Sequence, residues 1–489
     1  MPMRRCRRRM PGSRYRCESG GSDPGRTPVP VAVGSRSPMV PDTASHRAPR
    51  RGPRTTLFAQ VRSIAALHSA WRVVRTNAQK SEWAPTREAA KSFELSSYAR
   101  LKEIQSQLAA HRFEFKEQKG VLKRKPGSDK RRPLVSAPLV NRIVQRAILD
   151  IVQGHPALRP VLRSENSFGG IPGRGPRDAI AIAAKGIGDG AEYFARSDIK
   201  DFFTKIPRER VRMWLHERLG DQDFCELMAK SAETKLDNLA DLVGFENSFP
   251  LGDVGVAQGS ALSALMGNIL LFEVDAIGAA DGITFVRYID DFLVLGADEK
   301  EVAARFGEVR RALRALGLDA YNPGESKKAS RGLISKGFEF LGVRVQPGHV
   351  WPTRTAIAKL FDKLTRVLES GKATMRAAVK SDAAIPKGEA LAQTLVRVDR
   401  IIEGWGNAVS FCTVRHVLDA VDARIERELK LLWDEYRRLS GVATSRGRLR
   451  RLMGVRPVTD IREWKWADFS VKVEDRRRRE REEVSLSGE

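Results

Sequence analysis

The sequence predicts an α+β fold, with a small antiparallel sheet in the middle of the chain and a helical region after it. In the stretch 283–296 (ITFVRYIDDFLVLG), two runs of β-branched and aromatic residues flank a pair of adjacent carboxylates, Asp290 and Asp291. That composition is typical of a β-hairpin. From Thr353 onward, apolar residues recur every three or four positions, which predicts helices.

The acids at the hairpin tip need an explanation, because two carboxylates held that close repel each other unless a cation lies between them. Arg287 is the nearest cation in the sequence. A solvated Asp-Asp turn is one interpretation, and a divalent metal site is the other. A third acid, Asp198, ends a short apolar strand earlier in the chain. Mg²⁺ prefers such oxygen ligands, so the three acids favour a metal site.

Composition narrows the class of protein. The 489 residues include 86 Lys plus Arg against 60 Asp plus Glu, a formal net charge of +26. A protein this basic usually meets a polyanion, most often nucleic acid. The same charge disfavours a glycosidase, in which two carboxylates would share acid and base roles. Four cysteines without metal-ligand spacing, and the lack of a membrane-spanning or secretory segment, indicate a cytoplasmic protein.

The first 54 residues are rich in Arg, Pro, Gly and Ser, so we expect a disordered basic arm there. A basic turn over residues 123–132 contains Lys125, Arg131 and Arg132. It is interpreted either as a grip on phosphates or as an exposed loop. Periodicity predicts helices over 57–74, 85–110 and 141–152, and a strand that starts at Phe113.

The middle of the chain alternates short strands and glycine-containing loops. The loop 167–179 carries Arg174 and either lets the backbone approach a ligand or merely precedes a helix. Gln258-Gly259 precede a helix rich in small residues, which either packs against a nucleotide or is an ordinary buried helix. Further predictions are a helix over 301–316, a loop with Lys327 and Lys328, and a strand pair over 337–345.

The C-terminal third is predicted to be a separate basic helical domain. Its first helix is expected to end at Gly371, and two more cover 391–405 and 417–439. The last of them has one apolar face, while the rest of its surface is basic and includes Arg424, Arg427 and Lys430.

Taken together, these blocks resemble reverse transcriptases of the bacterial type, a group that includes retron and group II intron-like enzymes. The resemblance covers about residues 113–348, and Gly404-Trp405 adds a weaker likeness. The YxDD tetrapeptide alone has low specificity, whereas all the blocks in this order have high specificity. The matching blocks are Arg132-Pro133-Leu134, residues 141–147, Ser167-Phe168-Gly169 with Arg174, residues 198–203, Gln258-Gly259 with Ser263 and Asn268, Tyr288-Ile289-Asp290-Asp291, and Phe340-Leu341-Gly342.

The resemblance implies a right-hand polymerase fold with fingers, an antiparallel palm sheet and a helical C-terminal thumb. The expected domains are the basic arm at 1–54, N-terminal helices and fingers at 55–190, the catalytic palm at 191–348, the helical thumb at 349–465, and a charged tail at 466–489.

The activity it implies is RNA-directed DNA polymerisation with two Mg²⁺ ions, or Mn²⁺ in their place. Asp198 and Asp290 would be the main metal ligands, with Asp291 as a supporting acid and the Ile199 carbonyl completing the shell. Lys327 matches the lysine that protonates or orients the leaving pyrophosphate, and Lys328 is its alternative.

The other site residues also come from the resemblance. The triphosphate would be held by Arg131 or Arg132, with Lys125 among the nucleotide contacts. Phe203 would exclude a 2′-hydroxyl. The nascent base pair would be flanked by Gln258 and Gly259. Contacts to nucleic acid are expected from Arg174, Tyr288, Arg424, Arg427 and Lys430.

The chain departs from the family at Ala257 and Ala264, where Pro is usual, and at Asn141, where Asp is frequent. These positions shape the backbone near the template. No Cys- or His-rich endonuclease module follows the expected thumb, so we expect a stand-alone bacterial enzyme of antiphage defence.

The expected partners are an RNA template, a DNA or RNA primer, deoxynucleoside triphosphates and a dedicated structured non-coding RNA, without a membrane. The sequence leaves the oligomeric state open. Two rival functions remain, a maturase-like RNA-binding protein and an untemplated or protein-primed DNA polymerase.

Overall fold

The computed structural model of the protein describes residues 55–81, 83–124, 131–380, 390–443 and 445–455. Three predictions concern segments outside the described residues: the basic arm at 1–54, Lys125 in the basic turn, and the charged tail at 466–489.

The N-terminal helices pack around α5, whose apolar side chains Ile143, Val144 and Ile148 are fully buried against the others. The single helix predicted over 85–110 is in fact two helices, because the chain turns at Leu95 and Ser96. The five helices are α1 (Leu57–Val61), α2 (Ile64–Gln79), α3 (Ala84–Glu94), α4 (Ser97–Ala109) and α5 (Leu139–Gln153).

An antiparallel hairpin, β1 (Lys119–Arg124) and β2 (Arg131–Ser136), lies between α4 and α5 in the chain. The strand predicted from Phe113 is wrong, since β1 begins only at Lys119. The segment before it is held by a side chain instead: the buried Asn141 accepts from the Lys116 amide at 3.0 Å and donates to its carbonyl at 2.7 Å.

The central sheet has four antiparallel strands in the order β4-β5-β3-β6, which confirms the predicted antiparallel sheet and the hairpin at residues 283–296. Its side chains join two hydrophobic clusters, one with the N-terminal helices and one with a second, three-stranded sheet, β7-β8-β9. The strands are β3 (Tyr193–Asp198), β4 (Thr284–Tyr288), β5 (Asp291–Gly296), β6 (Ser330–Leu333), β7 (Phe338–Phe340), β8 (Val343–Gln346) and β9 (His349–Pro352).

Helices cover the sheet, and the one over 301–316 is confirmed as α12. Asp298 caps its first turn by accepting from the amides of Lys300 and Glu301. The helices of this region are α6 (Arg159–Leu162), α7 (Pro176–Gly188), α8 (Phe202–Lys205), α9 (Arg208–Leu219), α10 (Gln222–Ser231), α11 (Ser263–Gly278) and α12 (Glu299–Ala315).

The C-terminal helices have their own hydrophobic core, and the predicted end of a helix at Gly371 is wrong. Gly371 lies inside a 27-residue helix, where a Cβ atom would come within 2.4 Å of the Thr394 hydroxyl. The glycine therefore allows two helices to pack closely rather than ending one. The helices are α13 (Arg354–Lys380), α14 (Leu391–Val409), α15 (Arg415–Val442) and α16 (Arg446–Met453). Over the described ranges, none of the helices combines the length and apolar character needed to span a membrane.

Candidate active site

Three carboxylates meet where β3, β4 and β5 end. Asp198, the last residue of β3, pairs directly with Asp291, the first residue of β5. Residues opposite each other in an antiparallel pair project to the same face of the sheet. Asp290 lies in the turn between β4 and β5, and its carbonyl accepts from the Ile199 amide at 2.9 Å. The strand pairing thus brings the three predicted acids together.

Gly169 and Asn268 support the turn that carries Ile289 and Asp290. Ile289 has a φ of +60°, which is unusual for a β-branched residue. A Cβ atom on Gly169 would lie 2.6 Å from the Ile289 amide nitrogen, so only glycine fits at this approach. Asn268 donates to the Gly169 carbonyl at 2.9 Å, which fixes this loop against α11.

Arg287, the nearest cation in the sequence, pairs with a different acid. Its guanidinium forms a buried ion pair with Asp275 of α11, at 2.5 and 2.7 Å, and also donates to the Ile289 carbonyl. The cations near the acids come from elsewhere in the chain. Nζ of Lys328 lies 2.7 Å from Asp198, while Arg196 and Arg132 act on Asp291 and Asp290 through their charge.

Burial sets the protonation of the acids. It raises the pKa of Asp290, and the nearby Asp198 charge adds to that rise. Burial raises the pKa of Asp291 to about 7, with further contributions from Asp290 and Asp198 that Arg196 and Lys328 partly offset. Each carboxylate therefore favours a cation that would let it ionise.

The structure places Lys328, rather than Lys327, on the acids. The Lys328 ammonium contacts Asp198 and borders the same cleft as Asp198 and Asp290. Lys327 contributes its backbone carbonyl, which accepts from Arg196 at 3.3 Å. The residue chosen from the resemblance is thus one position away from the lysine that reaches the acids.

Asp198 and Asp290, but not Asp291, line a cleft of about 740 Å³, a volume in the usual range for small-molecule sites. Most of the predicted nucleotide residues line it, and Gly259 does not. Its opposite wall is the segment 247–254, which the sequence did not indicate as part of a site. The predicted residues that line it are Asp198, Ile199, Asp290, Arg131, Arg132, Phe203 and Gln258.

Two of the lining residues are held in place by neighbours. The Arg131 guanidinium lies over the ring of Phe245, 5.4 Å from its centroid. Phe203 is half-buried, and its carbonyl accepts from the Val256 amide at 2.6 Å. Phe202 also borders the cleft but is buried against Gly267 of α11, so Phe203 is the more exposed of the two neighbouring rings.

A second cleft, of about 300 Å³, lies beside Gly259, whose φ is +110°. Its lining contains Arg142 and Arg146 and no acidic residue. Arg146 is paired with Asp150, whereas within the described ranges no hydrogen bond or ion pair of the Arg142 side chain is found. Burial lowers the pKa of Arg142. The sequence placed Arg142 in the block 141–147 that carries the resemblance but assigned it no role in the site.

The remaining predicted contacts line neither cleft. Arg174 donates to the carbonyls of Ser164 and Ser167, so it braces its own loop. Tyr288 ends β4 with its side chain half-buried. On α15, Arg427 and Lys430 are exposed, and Arg424 lies over the ring of Phe361 at 3.8 Å.

The donor set fits a hard divalent cation. Within the described ranges, no three acidic, histidine or cysteine side chains are gathered tightly enough to enclose a metal by themselves. Asp198 and Asp290 nevertheless share one cleft, and Mg²⁺ commonly takes one or two carboxylates plus water and substrate phosphates. These residues could therefore hold Mg²⁺ together with a phosphate-bearing ligand.

Parts of the chain are similar to a curated protein and to a solved structure. The chain is 28% identical, over 172 residues, to the uncharacterized 91 kDa protein in cob intron of Schizosaccharomyces pombe, covering 35% of this chain and 20% of that protein. The chain thus spans only about a fifth of that relative. A solved structure, the partial Cas6-RT-Cas1–Cas2 complex, matches with a TM-score of 0.33 and 18% identity over 54% of this chain and 44% of the other.

Residues 122–345 match the family described as reverse transcriptase (RNA-dependent DNA polymerase). That range contains β2, the central sheet, all three acids and Lys328. A domain of this family implies a right-hand polymerase fold and nucleotidyl transfer. This part of the chain therefore belongs to the reverse transcriptase family.

Proposed function

We propose that the whole protein is an RNA-directed DNA polymerase that adds deoxynucleotides to a primer 3′ end at Asp198, Asp290 and Asp291. The observation that carries the proposal is the shared cleft: Asp198, Asp290, Lys328 and the arginines at 131 and 132 border one space. Asp291 is paired with Asp198 in the sheet. Carboxylates and arginines around one space suit a metal-bound triphosphate.

Each residue has a distinct role in this proposal. Asp198 and Asp290, with the Ile199 carbonyl, would hold two Mg²⁺ ions, which when bound activate the primer hydroxyl and neutralise the leaving group. Asp291 supports them. The arginines hold the triphosphate, and Phe203 leaves no room for a 2′-hydroxyl. Gln258 borders the same cleft, and its carbonyl accepts from the amide of Val135 in β2.

The template strand is assigned to the second cleft. Its lining holds two arginines and no acidic residue. Arg146 is paired with Asp150, so Arg142, which has no such partner among the described residues, is the guanidinium that gains most from a phosphate. Gly259 joins this cleft to the nucleotide cleft, because it follows Gln258 directly. We therefore infer that RNA phosphates lie along Arg142 while the base enters beside Gly259.

The two rival functions predict different products. A maturase-like protein would bind RNA without the three acids having a catalytic role. An untemplated or protein-primed polymerase would use the acids but ignore the template sequence. The acids sharing a cleft with Lys328 favour a polymerase over binding alone. Antiphage defence, a dedicated structured RNA and a cytoplasmic location stay predictions from the sequence.

Primer extension tests the proposal. The full chain is given a DNA primer on an RNA template of defined sequence, all four deoxynucleotides and Mg²⁺, and the product is sequenced. We expect product complementary to the template, and its loss with a chelator or with Asp290→Asn. Product unrelated to the template would favour the untemplated rival. RNA binding without any product would favour the maturase-like one.

A further inference from the structure

Tyr321 lies beside the nucleotide cleft and carries two lysine ammonium groups over its ring. Nζ of Lys328 is 4.7 Å from the ring centroid, and Nζ of Lys200 is 5.3 Å from it. Cations over the face of a tyrosine are attracted by the negative face of the ring. Tyr321 lies outside the sequence blocks that carry the family resemblance, and the proposed function assigns it no role.

The two lysines are held to different degrees. Lys200 forms an ion pair with Asp319 at 2.9 Å, and Asp319 also accepts from Arg310 and Arg314. Lys200 is thus part of a fixed network. Lys328 is bound to Asp198 at 2.7 Å, and its side chain is still 48% exposed. Among the described residues, Asp198 and the Tyr321 ring are the two contacts found for this ammonium.

The ring itself is anchored to the strand that carries the acid. The Tyr321 amide donates to the Asp198 carbonyl at 3.2 Å, and the Tyr321 carbonyl accepts from the Ser197 hydroxyl at 2.8 Å. Both backbone bonds fix the ring relative to the end of β3. A side chain resting on it is therefore fixed relative to Asp198 as well.

We propose that Tyr321 is a positioning residue whose ring keeps the Lys328 ammonium at the cleft, ready to donate a proton to the leaving pyrophosphate. The inference rests on the proposed polymerase function. In that step the primer 3′ oxygen bonds to the α-phosphorus, and its own proton passes to solvent water. The bond from the α-phosphorus to the bridging oxygen breaks, and the Lys328 proton passes to that oxygen. When Asp198 binds another cation, the ring is the contact that remains to hold Lys328.

Two substitutions distinguish the contribution of the Tyr321 ring from that of its hydroxyl group. Tyr321→Phe keeps the aromatic face, and Tyr321→Leu removes it. Tyr98→Leu is the matched control, because Lys102 lies over the exposed Tyr98 ring at 5.8 Å on α4. Single-nucleotide addition is measured over a range of deoxynucleotide concentrations. We expect Tyr321→Leu to lower the rate at saturation by about 3- to 30-fold with little change in KM. Tyr321→Phe and Tyr98→Leu should retain the wild-type rate.

Lysine accessibility gives a readout that does not depend on activity. Limited acetylation followed by mass spectrometry reports how fast Lys328 reacts, with Lys327 as an internal reference. We expect faster modification of Lys328 in Tyr321→Leu and no change in Tyr321→Phe. Equal rates at Lys328 in all three proteins would overturn the inference even if the protein extends no primer. If the wild type copies RNA and Tyr321→Leu is equally active, the inference is overturned as well. The polymerase proposal would then stay intact.

Discussion

Arg287 and Asp275 form an ion pair beneath the hairpin that carries the acids, and both side chains are almost fully buried, at 2% and 3% exposure. Arg287 also donates to the Ser167 hydroxyl, the Asn268 side chain and the Ile289 carbonyl. One guanidinium therefore ties together α11, the loop before α7 and the turn that carries Asp290.

We expect Arg287→Met to lower the free energy of unfolding by roughly 3 to 5 kcal/mol, because it leaves the Asp275 carboxylate buried without a partner. The double variant Arg287→Met/Asp275→Leu should recover much of that loss, since neither charge remains. Urea denaturation of the three proteins measures both effects. A double variant as unstable as the single one would show that the other hydrogen bonds of Arg287, rather than the ion pair, hold the turn.

The stability of the metal-free protein should depend on Asp291. Its pKa is about 7 in the folded protein, above the value of about 3.9 in an unfolded chain. Between these values the folded state keeps a proton that the unfolded state has lost, so the free energy of unfolding falls as the pH rises. We expect Asp291→Asn to gain stability over the wild type by roughly 1 to 3 kcal/mol between about pH 5 and about pH 8.

Chemical denaturation at both pH values, with a chelator present, checks this. Asp319→Asn is a useful contrast, because its cationic partners hold the pKa of Asp319 at about 2, so its contribution to stability is constant over that range. A stability difference for Asp291→Asn that is the same at both pH values would contradict the raised pKa.

The two neighbouring phenylalanines should behave differently. Phe203→Ala is expected to increase incorporation of ribonucleotides relative to deoxyribonucleotides, because Phe203 is half-buried and borders the cleft. Phe202→Ala should instead lower the free energy of unfolding by roughly 3 to 5 kcal/mol, since its ring is buried. Competition between the two sugars and thermal denaturation are measured for both variants. An unchanged sugar preference in Phe203→Ala would remove it from the nucleotide site.

Arg142→Ala should weaken binding of an RNA template with its primer and reduce the dependence of log Kd on log salt by about one. The reason is the loss of one phosphate contact in the second cleft. Arg311→Ala, which removes an exposed arginine of α12, is the matched control for net charge. Fluorescence anisotropy over a series of salt concentrations gives both slopes. Equal slopes for the two variants would argue against a template phosphate at Arg142.

The sequence by itself determined the α+β class, the antiparallel hairpin with its two acids, and helices such as α5 and α12. These features follow from local periodicity and composition, which a chain shows before it folds. The order of the motifs was equally local information, and it led to the same family that residues 122–345 match.

Only the tertiary structure decided which charges meet. Arg287 is three residues from Asp290 in sequence and yet pairs with Asp275, while Lys328 comes from far along the chain to reach Asp198. Gly371 continues a helix because Thr394 of another helix packs on it. Arg142 is identified only by its lack of a partner in the part of the chain that the structure describes. Pairing, burial and close approach depend on segments that folding brings together, so residue patterns along the chain determine the elements while packing determines their contacts.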